Sequence, residues 1–148
     1  MRSILIRVGI IAAIAAGAYL LRDFLPSNAG NLAVGDCFDL PAAEAETVED
    51  VQHHPCTETH GGEVVFVGDF EPAQDTYPTD GEMFTFVTNR CITAFFDYTG
   101  LTDATSQHLD MSAFTPTVDG WGDGERKVIC YAINVDGSPM TTSVRKAQ

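Results

Sequence analysis

The stretch HHPCTETH at residues 53–60 places three histidines and one cysteine within eight positions. Imidazole and thiolate are ligands that zinc prefers, so this stretch is a candidate metal site that would need Cys56 as a free thiolate. His53 and His54 are neighbours, and in a strand they would point to opposite faces. The competing interpretation is a disulfide-bonded corner in which His60 forms hydrogen bonds at a turn. We favour that corner and expect no metal or other cofactor.

A second group of oxygen ligands lies in DGWGDGE at residues 119–125. It lacks the alternation of oxygens and the sixth-position glycine of an EF-hand calcium loop. We therefore expect a glycine-rich turn in which Trp121 packs over the domain and Arg126 pairs with a nearby acid. The chain also has no G-x-S-x-G and no C-x-x-C motif. These observations predict a protein that is not an enzyme.

The N-terminus decides which compartment these residues occupy. From Ile4 to Leu21 the chain is apolar except for Arg7, and about 18 helical residues span roughly 27 Å, close to the thickness of a bilayer core. Arg2 and Arg7 favour a cytoplasmic N-terminus and an exported C-terminal part. We predict an uncleaved signal anchor. The alternative is a cleaved signal peptide, with small residues at Ala16 and Ala18 or at Ser27 and Ala29.

This interpretation divides the chain into an anchor over residues 1–25, a linker over 26–31 and an extracytoplasmic domain over 32–148. The predicted location is the cell membrane, with a single N-terminal span and the C-terminal domain outside. All 21 acidic residues lie at Asp23 or later, together with only five bases. This strong negative charge argues against nucleic acid and anionic lipid headgroups as partners.

The cysteines fall in the exported part, where an even number in a small domain is typical of a disulfide framework. Spacing alone leaves three pairings open. The four are Cys37, Cys56, Cys91 and Cys130.

The pattern of apolar residues predicts an α+β fold with an antiparallel sheet and one main helix. EVVFVGDF at 63–70 and KVICYAI at 127–133 are the clearest strands, and shorter strands are expected within 32–38, 47–52, 113–117 and 141–144. Thr79 with Glu82 fits a capping box, and Gly100 is expected to end the helix. The predicted apolar stripe of this helix comprises Met83, Phe84, Val87, Cys91, Ile92, Phe95 and Phe96.

Several segments together resemble the septum-formation domain family, which consists of small exported domains of high-GC Gram-positive bacteria and their relatives. The segments are VGDCFDL at 34–40, HPCTETHGGEVV at 54–65, GERKVICYAI at 124–133 and TTSVRKA at 141–147. Thr142 departs from the family pattern, which tends to have glycine there. The resemblance implies the bridges Cys37–Cys56 and Cys91–Cys130, and it supplies no enzyme activity.

The function expected from these features is that of a non-catalytic, membrane-anchored domain that binds another protein in the cell envelope and is linked to septum formation. Two alternatives stay open: an accessory subunit of an integral membrane complex, such as a respiratory supercomplex, and an exported metal- or ligand-binding module. Two surfaces are predicted to contact the partner: an acidic loop and the surface near Trp121. The acidic residues of the loop are Glu44, Glu46, Glu49 and Asp50.

Overall fold

A computed structural model describes residues 26–41 and 48–147. The segment predicted to be the anchor therefore lies outside the described residues. Within the described ranges, no helix is both long enough and apolar enough to cross a bilayer. The strands are β1 (Pro26–Asn28), β2 (Cys37–Phe38), β3 (Asp50–His54), β4 (Gly62–Asp69), β5 (Leu109–Phe114) and β6 (Lys127–Asn134). The helices are α1 (Asp80–Thr99) and α2 (Val118–Gly122), and a 3-10 turn covers Ala29–Asn31.

The strands form one antiparallel sheet in the order β1-β3-β2-β4-β6-β5. The long strands β4 and β6 lie next to each other near its middle, with Phe66 opposite Cys130 and a register irregularity between Val64 and Phe66. Both strands are rich in β-branched and aromatic residues, which suit a buried pleated surface. The sheet and the main helix confirm the predicted α+β class.

Each face of the sheet buries its own apolar cluster. The helix face carries Val65, Phe70, Phe86, Cys91, Phe95, Trp121, Val128 and Cys130. The opposite face carries Ala29, Leu32, Phe38, Val51, Val64, Ile129 and Tyr131. Because the second cluster joins Ala29 and Leu32, which follow β1, and Val51 of β3 to residues of β6, the β1 end of the sheet curls across the face that α1 leaves open.

Helix α1 begins and ends as its sequence predicts. The Thr79 side chain accepts a hydrogen bond from the Glu82 backbone N–H, and the Glu82 carboxylate accepts one from the Thr79 backbone N–H. Gly100 ends the helix in the left-handed conformation, at φ 69°, where a residue without a side chain avoids strain. Local cap chemistry therefore fixes both ends.

The predicted apolar stripe of α1 is only partly correct. Phe84 and Ile92 are 71% and 43% exposed, whereas Phe86, absent from the predicted stripe, is buried. The Phe86 ring packs against Phe70 at a centroid distance of 4.9 Å. The first turns of the helix therefore bury a different side from the later turns, which pack through Cys91 and Phe95. A prediction that assumes one straight apolar stripe along the helix does not include this change of side.

The first half of the segment 26–31, expected to be a linker, belongs to the sheet, and the second half is a 3-10 turn. Its first residues form β1 and pair with β3, with Ser27 opposite Val51. Ala29 is buried, and its N–H donates to the Glu49 carbonyl at 2.8 Å. The prediction relied on local turn-forming residues and had no information on the pairing with a strand more than twenty positions away.

The predicted last strand over 141–144 is also wrong. Residues 141–144 form no strand. The nearest sheet-like pairing in the described part of the chain is an isolated β-bridge between Met140 and His60. The Val144 N–H donates to a Glu63 carboxylate oxygen, so a side chain of β4 holds this segment in place of a neighbouring strand.

Candidate partner-binding groove

The four cysteines form two disulfide bonds, Cys37–Cys56 and Cys91–Cys130. This is the pairing that the family resemblance implies. The first bridge joins β2 to the turn that follows β3, and the second joins α1 to β6. Together they attach the curled end of the sheet and the helix to the central strands, so the surfaces between these elements are held in fixed positions.

The histidine stretch forms the oxidised corner rather than a convergent ligand set. The His53 and His54 rings approach different acids: His53 Nδ1 lies 4.0 Å from Asp36 Oδ2, and His54 Nε2 lies 2.9 Å from Asp39 Oδ2. His60 is fully buried, and its Nδ1 donates to the Glu58 carbonyl at 2.8 Å. Among the described residues its Nε2 has no hydrogen-bond partner.

One group of potential metal ligands does converge. Cys37, His60 and Glu63 have ligand atoms within 4.8 Å of one another. The sulfur of Cys37 is part of a disulfide and carries no thiolate charge, and a thiolate is the form of cysteine that binds zinc. A zinc site would also need more than the two remaining ligands, so the oxidised cluster is a poor match for this metal.

Glu63 is a buried carboxylate that the sequence analysis did not single out. It is 0% exposed and accepts hydrogen bonds from the Tyr98 and Ser143 hydroxyls and from the Val144 N–H. Burial, followed by the hydrogen bond to Glu63, raises the pKa of Tyr98. A glutamate directly before the apolar run of a strong strand was the signal in the sequence. A carboxylate buried there needs several hydrogen-bond donors.

Ser143 is also the first residue of an S-x-x-K sequence over 143–146. In some hydrolases this spacing, on a helix, supports a nucleophilic serine. Here the segment is not helical, and Ser143 Oγ donates to Glu63 at 2.7 Å. The hydroxyl therefore donates to a buried carboxylate that also accepts from Tyr98 and Val144, and it lacks the helical setting of that motif.

A groove of about 790 Å³ lies between the two edges of the curled sheet. One wall consists of Asn28 and the 3-10 turn after β1, and the other consists of the end of β5 and the following residues to Pro116. Phe114 and Ile129 contribute to its apolar lining. The remaining lining residues are Val48, Glu49, Asp69, Thr117, Gly120, Gly124, Glu125, Arg126 and Lys127.

The exposed charges of the groove are mainly acidic. Glu49, Asp69 and Glu125 are exposed carboxylates on its walls. The two cations have partners within the protein: Lys127 Nζ donates to the Gly30 carbonyl at 2.6 Å, and the Arg126 guanidinium lies over the Trp121 ring at 3.8 Å. The groove therefore presents an apolar floor below acidic walls.

Trp121 lies behind this groove and not on its surface. It is 3% exposed, packs edge-on against Phe70 and Tyr77, and donates through Nε1 to the Asp75 carbonyl at 3.0 Å. The expected turn around it is the short helix α2. Trp121 therefore cannot contact a partner directly and supports the wall that Gly120 and Glu125 form.

Arg126 also differs from its prediction. Instead of a nearby acid, its guanidinium contacts the Trp121 ring and donates to the backbone carbonyls of Trp121 and Glu125, each at 2.7 Å.

Of the predicted contacts in the acidic loop, Glu49 lines the groove. Asp50 is exposed in β3 opposite Asn28 and is not among the lining residues. Glu44 and Glu46 lie outside the described residues. The structure thus brings together Glu49 and the neighbours of Trp121, which are some 70 positions apart in the chain.

The curled antiparallel sheet, the single long helix and the two bridges define a small disulfide-bonded α+β domain. A protein-family model described as septum formation matches residues 24–140, and the chain belongs to this septum-formation family. The match ends at Met140, so the TTSVRKA segment lies beyond it. Searches of the curated proteins and of the solved structures found no significant match.

Proposed function

We propose that the chain is a non-catalytic, membrane-anchored extracytoplasmic domain that binds another protein of the cell envelope, in a role linked to septum formation. The observation that carries this proposal is the groove between β1 and β5. It combines an apolar floor with exposed polar walls on a scaffold fixed by two disulfides. Such a pre-formed depression suits recognition of a partner segment.

Family membership supports the link to cell division, because the family is described by septum formation. The disulfides support an extracytoplasmic location, since such bonds persist mainly in oxidising compartments. The sulfurs of all four cysteines are in bridges, which disfavours thiol chemistry as the function.

The position of the groove supports a partner that is itself close to the membrane. The chain enters β1 at Pro26, directly after the predicted anchor, and Asn28 already lines the groove. Two residues of strand advance about 7 Å. A tether this short would keep the groove near the bilayer and raise its effective concentration around membrane proteins.

The test is site-specific photo-cross-linking in intact cells that produce the full-length chain. A photoreactive residue at Thr115, which is exposed and lines the groove, should cross-link one protein reproducibly. The matched control position is Glu58, which is exposed in the turn between β3 and β4 and away from the groove lining. Equal products from both positions, or none from Thr115, would contradict the proposal.

Complementation tests the link to septum formation. Cells depleted of the chain should form abnormal septa, and the wild-type chain and Glu58→Arg should restore them. Thr115→Arg should not, because its long side chain would occupy the groove. Normal septa after depletion, together with a cross-linked respiratory protein, would exclude the division role and support the accessory-subunit alternative.

A further inference from the structure

We propose that the partner contributes an extended, positively charged segment that pairs as an additional strand with the free edge of β5 and lies in the groove between β5 and β1. This inference rests on the proposed function and specifies the chemistry of the partner. It depends on three features of the described residues: the orientation of the β5 backbone, the two edges that line the groove, and the distribution of charge.

Among residues 26–41 and 48–147, the backbone of β5 has a neighbouring strand on one side only. The sheet order places β5 at an end, paired only with β6. Val135 N–H donates to the His108 carbonyl at 3.0 Å, and alternation along an antiparallel ladder then turns Asp110, Ser112 and Phe114 towards β6. The odd-numbered residues of β5 therefore direct their N–H and carbonyl groups outwards.

These outward groups differ along the strand. The Leu109 N–H donates to the Ser106 carbonyl at 2.8 Å, and the Met111 N–H donates to the Asp110 carboxylate at 2.7 Å. A charge on an edge strand in this position discourages pairing. Ala113 carries neither type of protection among the described contacts, and it is the outward residue of β5 that lines the groove. The edge is thus open for pairing at its groove end.

The opposite wall belongs to the other edge of the sheet. Asn28 ends β1, and the turn Ala29–Asn31 continues along the groove. The curled sheet therefore leaves a gap between its first and last strands. An added strand in this gap would pair with β5, direct alternate side chains towards Phe114 and Ile129, and expose the others to the walls.

Charge selects the kind of segment. The walls expose three carboxylates, those of Glu49, Asp69 and Glu125. Lys127 is also exposed but is held by the Gly30 carbonyl, and Arg126 lies over the Trp121 ring, so the exposed acids outnumber the exposed bases. An acidic segment would meet repulsion from these carboxylates and from the remaining negative charge of the domain. A segment that alternates apolar and basic residues matches both the floor and the walls, and such complementarity favours one partner over others.

The experiment uses the full-length chain, purified in detergent with its disulfides intact, and synthetic eight-residue peptides as probes. The first peptide alternates valine and lysine, the second alternates valine and glutamate, and the third repeats the first with alternate backbone nitrogens methylated. Fluorescence anisotropy measures binding, and amide hydrogen exchange measures protection at Ala113. We expect binding and protection with the first peptide and at least tenfold weaker binding with the other two.

Protein variants locate the binding site. Glu49→Gln and Glu125→Gln should each weaken binding of the valine–lysine peptide by about threefold, as expected for exposed ion pairs. Asp103→Asn, an exposed acid outside the groove, is the matched control and should have no effect. Ala113→Pro removes an outward N–H without removing a ladder bond. It should weaken binding of the valine–lysine peptide to the level of the methylated peptide, and its far-UV and near-UV spectra establish that it is folded.

The outcomes separate this inference from the proposed function. Equal binding of the methylated peptide would exclude strand pairing, and equal binding of the valine–glutamate peptide would exclude charge selection. A dimer that Ala113→Pro dissociates would make a second copy of the chain the occupant and overturn the inference. If Thr115 cross-links a partner in cells while the valine–lysine peptide fails to bind, the proposed function holds and the basic strand is excluded.

Discussion

The carboxylate of Glu63 in β4 accepts a hydrogen bond from the backbone N–H of Val144, 81 positions later in the chain, at 2.7 Å. The same carboxylate accepts from Ser143 and from Tyr98 of α1. The Lys146 N–H then donates to the Tyr98 carbonyl at 3.0 Å. A single buried acid therefore joins the central strand, the helix and the C-terminal segment.

Replacement of Glu63 tests this connection. Glu63→Gln keeps the size of the side chain but removes the charge and places an amide N–H₂ group among donors. We expect the free energy of unfolding to fall by about 2–3 kcal/mol, the range for hydrogen bonds to charged groups and buried unpaired donors. Urea unfolding measures this change, and Glu58→Gln, an exposed acid, is the matched control.

Release of the C-terminal segment should accompany that loss. Trypsin should cleave after Arg145 and Lys146 faster in Glu63→Gln than in the wild-type chain under native conditions, because Val144 loses its acceptor. Equal cleavage rates with a stability change below about 0.5 kcal/mol, the usual range for surface substitutions, would show that the carboxylate does not hold the segment.

Alkaline pH should destabilise the protein through its tyrosines. Burial and the hydrogen bond to Glu63 raise the pKa of Tyr98, and burial raises the pKa of Tyr131. The unfolded chain loses these protons near pH about 10, whereas the folded chain keeps them to higher pH. The unfolded state therefore binds fewer protons above that pH, and the free energy of unfolding decreases as pH rises.

Tyr98→Phe isolates the contribution of one of these groups. The variant should be less stable than the wild-type chain at neutral pH, because Glu63 loses a donor. Its stability should nevertheless decline less steeply between pH 9 and pH 11, since one titrating group is absent. Urea unfolding at several pH values gives both slopes, and identical slopes would rule out Tyr98 as a source of the pH dependence.

The parts of the fold that the sequence predicts are those that local chemistry determines. The ends of α1 follow from Thr79, Glu82 and Gly100, which act on backbone groups within a few residues. The strands β4 and β6 follow from their dense β-branched composition. Element β1 and the segment after Met140 depend on partners far away in the chain, so no local pattern indicates their conformation.

The groove, like β1, could not be predicted from local sequence patterns. Its walls come from five separate stretches of the chain: residues near 28–31, 48–49, 69, 113–117 and 120–129. The sequence singled out Glu49 and the surroundings of Trp121 independently, by charge and by residue type. It did not reveal that the curl of the sheet places them on one groove, because curvature depends on the packing of Phe38 and Ile129 across the second cluster.

The two phenylalanines at the start of α1 provide a direct test of how the helix lies on the sheet. Phe86 is buried against Phe70, whereas Phe84 is largely exposed. Phe86→Ala should lower the free energy of unfolding by about 3–5 kcal/mol, and Phe84→Ala should change it by about 0.5 kcal/mol or less. Thermal or urea unfolding compares the pair. If Phe84→Ala lowers the free energy of unfolding more than Phe86→Ala does, the straight apolar stripe predicted from the sequence is correct.

The two disulfides should differ in both stability and accessibility. They link residues 19 and 39 positions apart, and loop-closure entropy then gives contributions of about 3.3 and about 3.9 kcal/mol. Replacement of both Cys91 and Cys130 by alanine should therefore lower the free energy of unfolding more than replacement of both Cys37 and Cys56.

Accessibility predicts the order of reduction. Cys91 and Cys130 are both fully buried between α1 and β6, whereas Cys56 is partly exposed. A thiolate must reach a sulfur to cleave a disulfide, so a dithiol reductant should open Cys37–Cys56 first while the protein stays folded. Alkylation of the freed thiols during a reduction time course, followed by peptide mapping, gives the order. If Cys91 and Cys130 are labelled first, α1 must separate from the sheet more readily than its burial against β6 implies.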